Sequence, residues 1–574
     1  MNSTTPPPLL TGRPHFAQAE AAKLAQADQL ESAWRAQFAA DPSLQGVNGD
    51  YAVGLAAADG STTLATDRFA MQTQCWRQEG SQLRFAERAD TLAGADRELD
   101  PQAIFDYLFF HAIPSPRTIW KGVQRLSPGH RLRFDGQQAQ VEPYWKPRFT
   151  EPRSADFAAL AQEFRQLLQD AVATQLDGSR AACFLSGGTD SSTVAGMIAR
   201  VSKEPAATFS IGFDAEGYDE MEFARIAARH FKTEHHEYYV TPADLVKSMP
   251  LVAASYDQPF GNSSAVPAYH CALMARDKGV SRLLAGDGGD ELFGGNLRYA
   301  KQRIFRFYDA IAPGLRATMI EPWALSGLAR RLPGLRKVSS YVSQARLGLP
   351  ARLETYNQLL RLGMDQVLTP EFLACVDAEA PMRQQAEVWR FADTDSQLNR
   401  HLAFDWRYTL AEIDLPKVRG TTALAGVGVG FPMLDQRLVD FSLNLPQSYK
   451  LRGVKLRWFF KEALRGFLPD EIITKKKQGF GLPFGPWAVK NPALLALATE
   501  SLHGVADRGI VRKRFVEDLL TEHLPAHPGY YGEMVWILTM LEQWLRHHAP
   551  GYSLASRSSG GTGTGAVRAP AVQG

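Results

Sequence analysis

Residues Cys183-Phe184-Leu185-Ser186-Gly187-Gly188-Thr189-Asp190-Ser191-Ser192 run from an apolar stretch into small residues and then into a helix. Ala181 to Leu185 predicts a short buried strand, and Val194, Met197, Ile198 and Val201, at i, i+3, i+4 and i+7, predict an amphipathic helix after Asp190. A plain βα connection has the same outline. What distinguishes this one is its chemistry. Gly187 and Gly188 let backbone N–H groups close on an anion, and the helix N-terminus adds its positive end. Ser186, Ser191 and Ser192 add hydroxyl donors, and Asp190 is a hard oxygen ligand suited to Mg²⁺. The lysine of the G-x-x-x-x-G-K-[ST] nucleotide loop is absent.

The surrounding chain is long and ordinary in balance. It has 574 residues, 45% hydrophobic and 22% charged, which is enough for several domains and a large core. With 63 Lys and Arg against 61 Asp and Glu, the net +2 gives no global argument for nucleic acid or an anionic membrane as partner. Cys75, Cys183, Cys271 and Cys375 show no metal-ligand spacing and read as reduced core thiols. No signal peptide and no apolar run long enough to span a membrane is read, so a cytoplasmic location is expected.

Residues 1–8 and 556–574 are polar, low-complexity ends expected to be disordered. Residues 9–146 read as a small α+β domain. Its strands are expected at Tyr51 to Ala56, Gln82 to Phe85 and His130 to Phe134, and one helix carries Ile104, Tyr107, Leu108 and His111 on a face. Lys146 to Ser154 reads as a linker. A second domain, 155–550, opens with an amphipathic helix bearing Phe157, Leu160, Phe164, Leu167 and Leu168. Strand and helix patterns then alternate to about residue 285, which predicts an α/β fold with a doubly wound parallel sheet, and the C-terminal half is helical.

Three more stretches join the opening turn. Ala207-Thr208-Phe209-Ser210-Ile211-Gly212-Phe213 is a second strand, followed by Asp219 and Glu222 in a capping-box spacing; its end is where an adenine would rest on backbone atoms. His235 and His236, adjacent on a strand, point to opposite faces and are not assigned chemistry. Leu283 to Gly295 runs a buried strand into five glycines and the carboxylates Asp287, Asp290 and Glu291, a concentration of negative charge that calls for a cation such as Mg²⁺ carried by a triphosphate. Its alternative is a Ca²⁺-binding or solvent-facing loop. Ile473-Thr474-Lys475-Lys476-Lys477-Gln478-Gly479-Phe480 offers a cation near a displacement at phosphorus.

The pattern SGGxDS resembles the pyrophosphate loop of the ATP pyrophosphatases. Together, SGGTDSS, FSIGF, GDGGDELFGG and KKKQGFGLPFGPW resemble the synthetase domain of the asparagine synthetase superfamily over roughly residues 155 to 550. The resemblance implies ATP and Mg²⁺ as cofactors. It places Asp190 and Asp290 as metal ligands, and Phe184, Ser186, Gly187, Gly188, Asp190, Ser191, Ser192, Ile211, Ala285 and Gly286 around the nucleotide. Asp287 then lies near the reacting groups, and Lys477 steadies the intermediate and the leaving pyrophosphate. Lys475 and Lys476 are expected to be ordinary surface positions.

The front domain resembles that family's glutaminase, an N-terminal-nucleophile hydrolase, only in part. Gly49 to Val53, Thr66-Asp67-Arg68, Ile113 to Trp120 and Leu126 to His130 match. Asn2 stands where the nucleophilic cysteine is expected, so glutamine hydrolysis is not expected and the domain reads as degenerate. In the segment that flanks the family's acceptor pocket, four charged positions become Arg419, Gly420, Gly428 and Gly430, while Lys417, Pro432, Leu434 and Asp435 remain. Aspartate is therefore not assigned as the substrate.

The resemblance implies an ATP-dependent, AMP-forming carbon–nitrogen ligase that acts on a carboxylate and an amine or ammonia through an acyl-adenylate. Three alternatives stay open: a cyclase of the β-lactam or lasso-peptide type, with the amine inside a substrate that can be a peptide; an asparagine synthetase using free ammonia; and an inactive scaffold.

Overall fold

The computed structural model describes residues 6–94, 97–150, 156–327, 331–476 and 481–554. Five parallel strands form the central sheet, in the order Glu234–Val240, Ala207–Phe213, Ala182–Phe184, Arg282–Leu284, Gly428–Gly430. Side chains alternate between its two faces, as a strand requires. Cys183 and Leu185 enter one apolar cluster with Phe164 and Leu168 of the helix Phe157–Gln175, Val194 of the helix Thr189–Val201 and Ala224 of the helix Met221–Phe231. Ala182, Phe209 and Leu283 enter another, with Cys271 and Ala275 of the helix Ala265–Asp277 and with Ala425. Both faces are covered by helices, so the sheet is doubly wound.

The register pairs Leu284 with Cys183. The two loops that leave these neighbouring strands, the glycine turn and the acidic loop, therefore emerge side by side at the carboxyl edge, where open α/β sheets bind ligands. The fifth strand, Gly428–Gly430, was not predicted. With two glycines in three residues it carries no strand propensity, and it is recruited by pairing with Arg282–Leu284.

The helix Phe157–Gln175 begins where Asp156 accepts a hydrogen bond from Ala158 N at 2.8 Å. Phe164 at its centre is fully buried among Phe293, Phe441, Phe459 and Phe460, with ring centroids 5.1 to 5.7 Å away. The C-terminal half is helical, as expected, and ends in the helix Pro528–His548.

The front part holds a five-stranded antiparallel sheet, ordered Leu9–Phe16, Val47–Ala56, Thr62–Thr66, His130–Phe134, Ala139–Pro143. A three-stranded sheet accompanies it, ordered Gln82–Ala86, Cys75–Glu79, Gln124–Arg125. The expected strands are present, and several more accompany them, together with the helices Ala19–Gln26 and Leu30–Ala40. His111 is not on the face of the helix Pro101–Phe110; it follows that helix at φ 62° and ends it.

The stretch read as a linker is not a loose connection in its described part: Phe149 is buried and lies 5.7 Å from the Trp406 ring, and Arg148 pairs with Asp393 at 2.8 Å. Residues 151–155 lie outside the described residues, as do 1–5 of the N-terminal end and all of 556–574. Cys75, Cys183 and Cys271 are buried, but Cys375 is exposed, so the reading of all four as core thiols fails there.

Replacing Phe164 removes the shared partner of four rings. Phe164→Ala is expected to destabilise the chain by about 3–5 kcal/mol, measured as a lowered midpoint of chemical unfolding. Phe307→Ala, at a side chain 76% exposed, is expected to change it by no more than about 0.5 kcal/mol.

Candidate active site

A cavity of about 970 Å³ opens at the carboxyl edge of the sheet, between the glycine turn, the acidic loop and the segments around Arg457 and Lys475. Gly187 sits at φ +69°, and a Cβ there would lie 2.5 Å from the backbone N of Ala224, so this position needs glycine on both counts. Ser191 is spent inside the turn: its Oγ accepts from the backbone N of Ser186 at 3.1 Å and meets Ser186 Oγ at 3.0 Å. Gly188 is the N-cap of the helix Thr189–Val201 and supplies no side-chain cap, which leaves that helix end facing the cavity.

Of the residues expected around a nucleotide, Phe184, Ser186, Gly188, Asp190, Ser191, Ile211 and Gly286 line the cavity. Gly187, Ser192 and Ala285 are not among its lining. Ser192 and Ala285 are buried behind it, and the Ser192 hydroxyl, read as a donor to an anion, is turned into the interior.

The three carboxylates of the acidic loop do not act as one cluster. Gly288, at φ +103°, turns the chain between them, with Leu434 packed against it. Asp290 faces Asp190, and the guanidinium of Arg457 lies between the two. Arg457 donates to Asp190 Oδ1 at 2.7 Å and Oδ2 at 2.6 Å, to Thr189 Oγ1 at 2.7 Å, and to Asp290 Oδ1. Arg457 is 4% exposed, and its burial draws its pKa below the ordinary guanidinium value against the pull of Asp190.

Among the described residues no group of three or more His, Cys, Asp or Glu is arranged to hold a metal. Two converging carboxylates already matched to one cation do fit Mg²⁺ that brings phosphate oxygens as its remaining ligands. Sequence reasoning missed Arg457. It sits among Arg452, Lys455 and Lys461, so nothing in the sequence marked it as the one that would be buried and paired.

Asp287 turns the other way, to Lys417. The ammonium of Lys417 lies 3.7 Å from Asp287 Oδ1 and 2.9 Å from Asp414 Oδ1, and all three residues line the cavity. Burial, partly offset by Lys417, raises the pKa of Asp287. Burial opposes the charge on Lys417, but Asp414 and Asp287 outweigh it, and its pKa rises. Glu291, also in the lining, is pushed up to about 8 by burial and then by Asp414 and Asp405. Asp414 ends a nine-residue π-helical stretch, Trp406–Asp414, a local widening common at functional sites.

Lys475 is not an ordinary surface position. Its ammonium pairs with Glu220 at 3.1 Å, donates to Gly187 O at 3.4 Å and lies 4.3 Å from the Phe223 ring centroid. Lys476 is exposed at the cavity rim. Lys477 lies outside the described residues.

None of the four altered positions lines the cavity, while Lys417 and Val418 of the same segment do. Arg419 reaches the front part, donating to Thr73 Oγ1 at 2.6 Å with Glu87 at 3.6 Å. A Cβ on Gly420 would lie 2.5 Å from the Tyr256 ring, and one on Gly430 2.5 Å from Gln175 Oε1 and 2.7 Å from the Arg282 guanidinium. Neighbouring side chains occupy the space there. His235 meets Thr208 Oγ1 at 3.0 Å and His236 stacks on Phe209, both away from the cavity. Helix Met221–Phe231 starts one residue later than a cap at Asp219 implies, with Glu220 as its N-cap.

Glu291 holds its proton more tightly in the folded chain than at its ordinary value of 4.5. The folded state therefore carries the extra proton between those two pKa values, and its stability falls as the pH rises from about 4.5 to about 8. Glu291→Gln removes that slope, so the variant should gain on the wild type with rising pH by up to about 1.4 kcal/mol per pH unit. Urea unfolding at intervals across the window measures the difference, and a constant offset would contradict the assignment.

Comparison with known proteins agrees with this geometry. Residues 163–546 match the asparagine synthase family, and residues 37–145 match a glutamine amidotransferase domain. Asparagine synthetase [glutamine-hydrolyzing] 1 of Bacillus subtilis is 24% identical over 487 residues, covering 84% of this chain and 74% of that protein. Asparagine synthetase [glutamine-hydrolyzing] 3 of the same organism is 25% identical over 441 residues, covering 72% and 64%. The amidase chyE of Penicillium rubens is 22% identical over 419 residues, covering 65% and 60%. With 163–546 matched and an α/β, doubly wound parallel sheet carrying the site at its carboxyl edge, the chain belongs to the asparagine synthase family.

Proposed function

We propose that this chain is an ATP-dependent amide-forming ligase that works through an acyl-adenylate. The observation that carries the reading is the convergence of the glycine turn, Asp190, Asp290 and Arg457 in one cavity, beside the separate Lys417, Asp287 and Asp414 cluster. A substrate carboxylate oxygen attacks the α-phosphorus of ATP, the bond to the bridging oxygen breaks, and pyrophosphate leaves. An amine nitrogen then attacks the acyl carbon, AMP leaves, and the nitrogen gives up a proton.

The residues divide these tasks. Phe184 and Ile211 would hold the adenine, and the turn Ser186 to Ser191 the phosphates. Mg²⁺ would be held by Asp190 and Asp290 and would supply charge neutralisation at the triphosphate. Arg457 and Lys475 are cations on the phosphate side, where charge builds on the leaving group; the family resemblance adds Lys477 there. Asp287, made more basic by burial and lining the same cavity, would accept the proton that the amine gives up.

The amine is proposed to reach the site without glutamine hydrolysis by this chain. The first cysteine, Cys75, is fully buried, and burial drives its thiol pKa far upward, which leaves no nucleophile there.

Calorimetry is expected to show Mg²⁺-dependent ATP binding that is lost in Asp190→Ala and weakened in Lys475→Ala, with the exposed Lys490→Ala unchanged. Unchanged affinity in Asp190→Ala would remove the reading. Incubation with glutamine alone, followed by assay of released glutamate, is expected to give no more than the buffer; release at an ordinary enzymatic rate would put a working nucleophile in the front part.

A further inference from the structure

The near-neutral total charge conceals a strong local asymmetry. Residues 297–356 hold eleven lysines and arginines against three carboxylates, while the rest of the chain holds 52 against 58. The same sixty residues contribute ten of the seventeen large hydrophobic side chains that are exposed among the described residues. They are not needed inside, because this lobe has its own small core of Phe305, Tyr308, Ala324, Val342 and Ala345.

The exposed side chains follow the helices. On the helix Leu297–Asp309, the residues Leu297, Lys301, Ile304 and Phe307 fall within an arc of about 120°. Leu315, Met319 and Trp323 recur every four residues along the helical run that follows. Phe307, Met319 and Trp323 are 76%, 66% and 53% exposed.

Between the helix Leu297–Asp309 and the helix Pro333–Ala345 lies a trough of about 790 Å³ whose lining includes Lys301, Arg336, Lys337 and Tyr356 and no carboxylate. Arg336 and Lys337 are exposed, and the Lys301 ammonium lies 5.2 Å from the Tyr356 ring centroid. Leu297 lines both this trough and the candidate active site.

We propose that the described part of the lobe 297–356 docks the protein onto an anionic lipid bilayer, with the exposed Lys301, Arg336 and Lys337 on the headgroup phosphates and Phe307, Met319 and Trp323 entering the interface. Basic helices that also present long apolar and aromatic side chains bind such surfaces by joint charge attraction and burial. The exposed apolar groups are distributed along three helical segments, an arrangement suited to a fluid interface that needs no fixed shape to match. The contact is peripheral, since no described helix is long and apolar enough to cross a membrane. It would hold the cavity, through Leu297, close to the lipid surface. The inference does not depend on the adenylation reading.

The test uses the full chain and sedimenting vesicles of phosphatidylcholine, with and without roughly one third phosphatidylglycerol, at about 0.05 M and about 0.5 M salt. Wild type is expected to bind the anionic vesicles at low salt at least about tenfold better than the neutral ones, and to lose that binding at high salt. The combined variant Lys301→Glu, Arg336→Glu, Lys337→Glu is expected to lose at least about tenfold in bound fraction, as is Phe307→Ser, Met319→Ser, Trp323→Ser. Both should keep Mg²⁺-dependent ATP binding and the wild-type unfolding midpoint. Equal binding to neutral vesicles, retained binding in the charge-reversed variant, or no binding by wild type at low salt would each overturn the proposal; the last is the result expected if the lobe's partner is an acidic protein.

Discussion

Two carboxylates at the starts of two different helices share one buried guanidinium. Asp190 opens the helix after the strand Ala182–Phe184, Asp290 lies in the first turn of the short helix Gly289–Phe293 after the neighbouring strand Arg282–Leu284, and the pairing of Cys183 with Leu284 brings them together. Like charges held so close out of bulk water require a cation, and Arg457 supplies it. Arg457 itself lies at φ 50° just ahead of the helix Trp458–Ala463, with its backbone N bonded to Gly294 O, so the cation is carried by the loop it neutralises. Packing around Phe164 holds that helix against the first helix of the domain.

A second polar seam joins the front part to this frame. Arg125 and Arg407 both pair with the buried Glu412, which also accepts from Ser115 Oγ at 2.9 Å. Glu412 and Asp414 belong to the same π-helical stretch, so the segment that anchors the front part also sets Asp414 against Lys417. Tyr107 adds a hydrogen bond to Ile537 O at 2.8 Å, and Trp120 lies 5.6 Å from Trp544. The front part is thus built into the core of the C-terminal helix. A disturbance at Glu412 would reach the candidate site through two residues of backbone.

The fold was legible where the pattern was local. Cys183 to Ser192 combines a strand, a turn that only glycine tolerates at Gly187 and an amphipathic helix, and each piece constrains the next. The fifth strand was not legible, because Gly428–Gly430 has no propensity of its own and forms by pairing. Within the site, Asp190 was legible from the glycine turn it follows and Asp287 and Asp290 from charge density along the chain, but sequence could not tell that Asp287 and Asp290 turn to different cations. Arg457 and Lys475 were missed or misjudged for the same reason. A lysine run looks the same whether or not Glu220 and the Phe223 ring, some 250 residues earlier, are there to receive it. Net charge concealed the basic lobe because it averages over parts that face different neighbours.

The Asp190 and Asp290 pair is proposed to receive the metal–triphosphate. Soaking crystals of the full chain with Mn²⁺ and a non-hydrolysable ATP analogue, then locating the metal by anomalous scattering, tests it without knowledge of the substrate. The metal is predicted within ligand distance of both carboxylates, with the Arg457 guanidinium moved onto the phosphates and the adenine against Phe184 and Ile211. Metal and nucleotide bound elsewhere, with Arg457 still bridging Asp190 and Asp290, would contradict it.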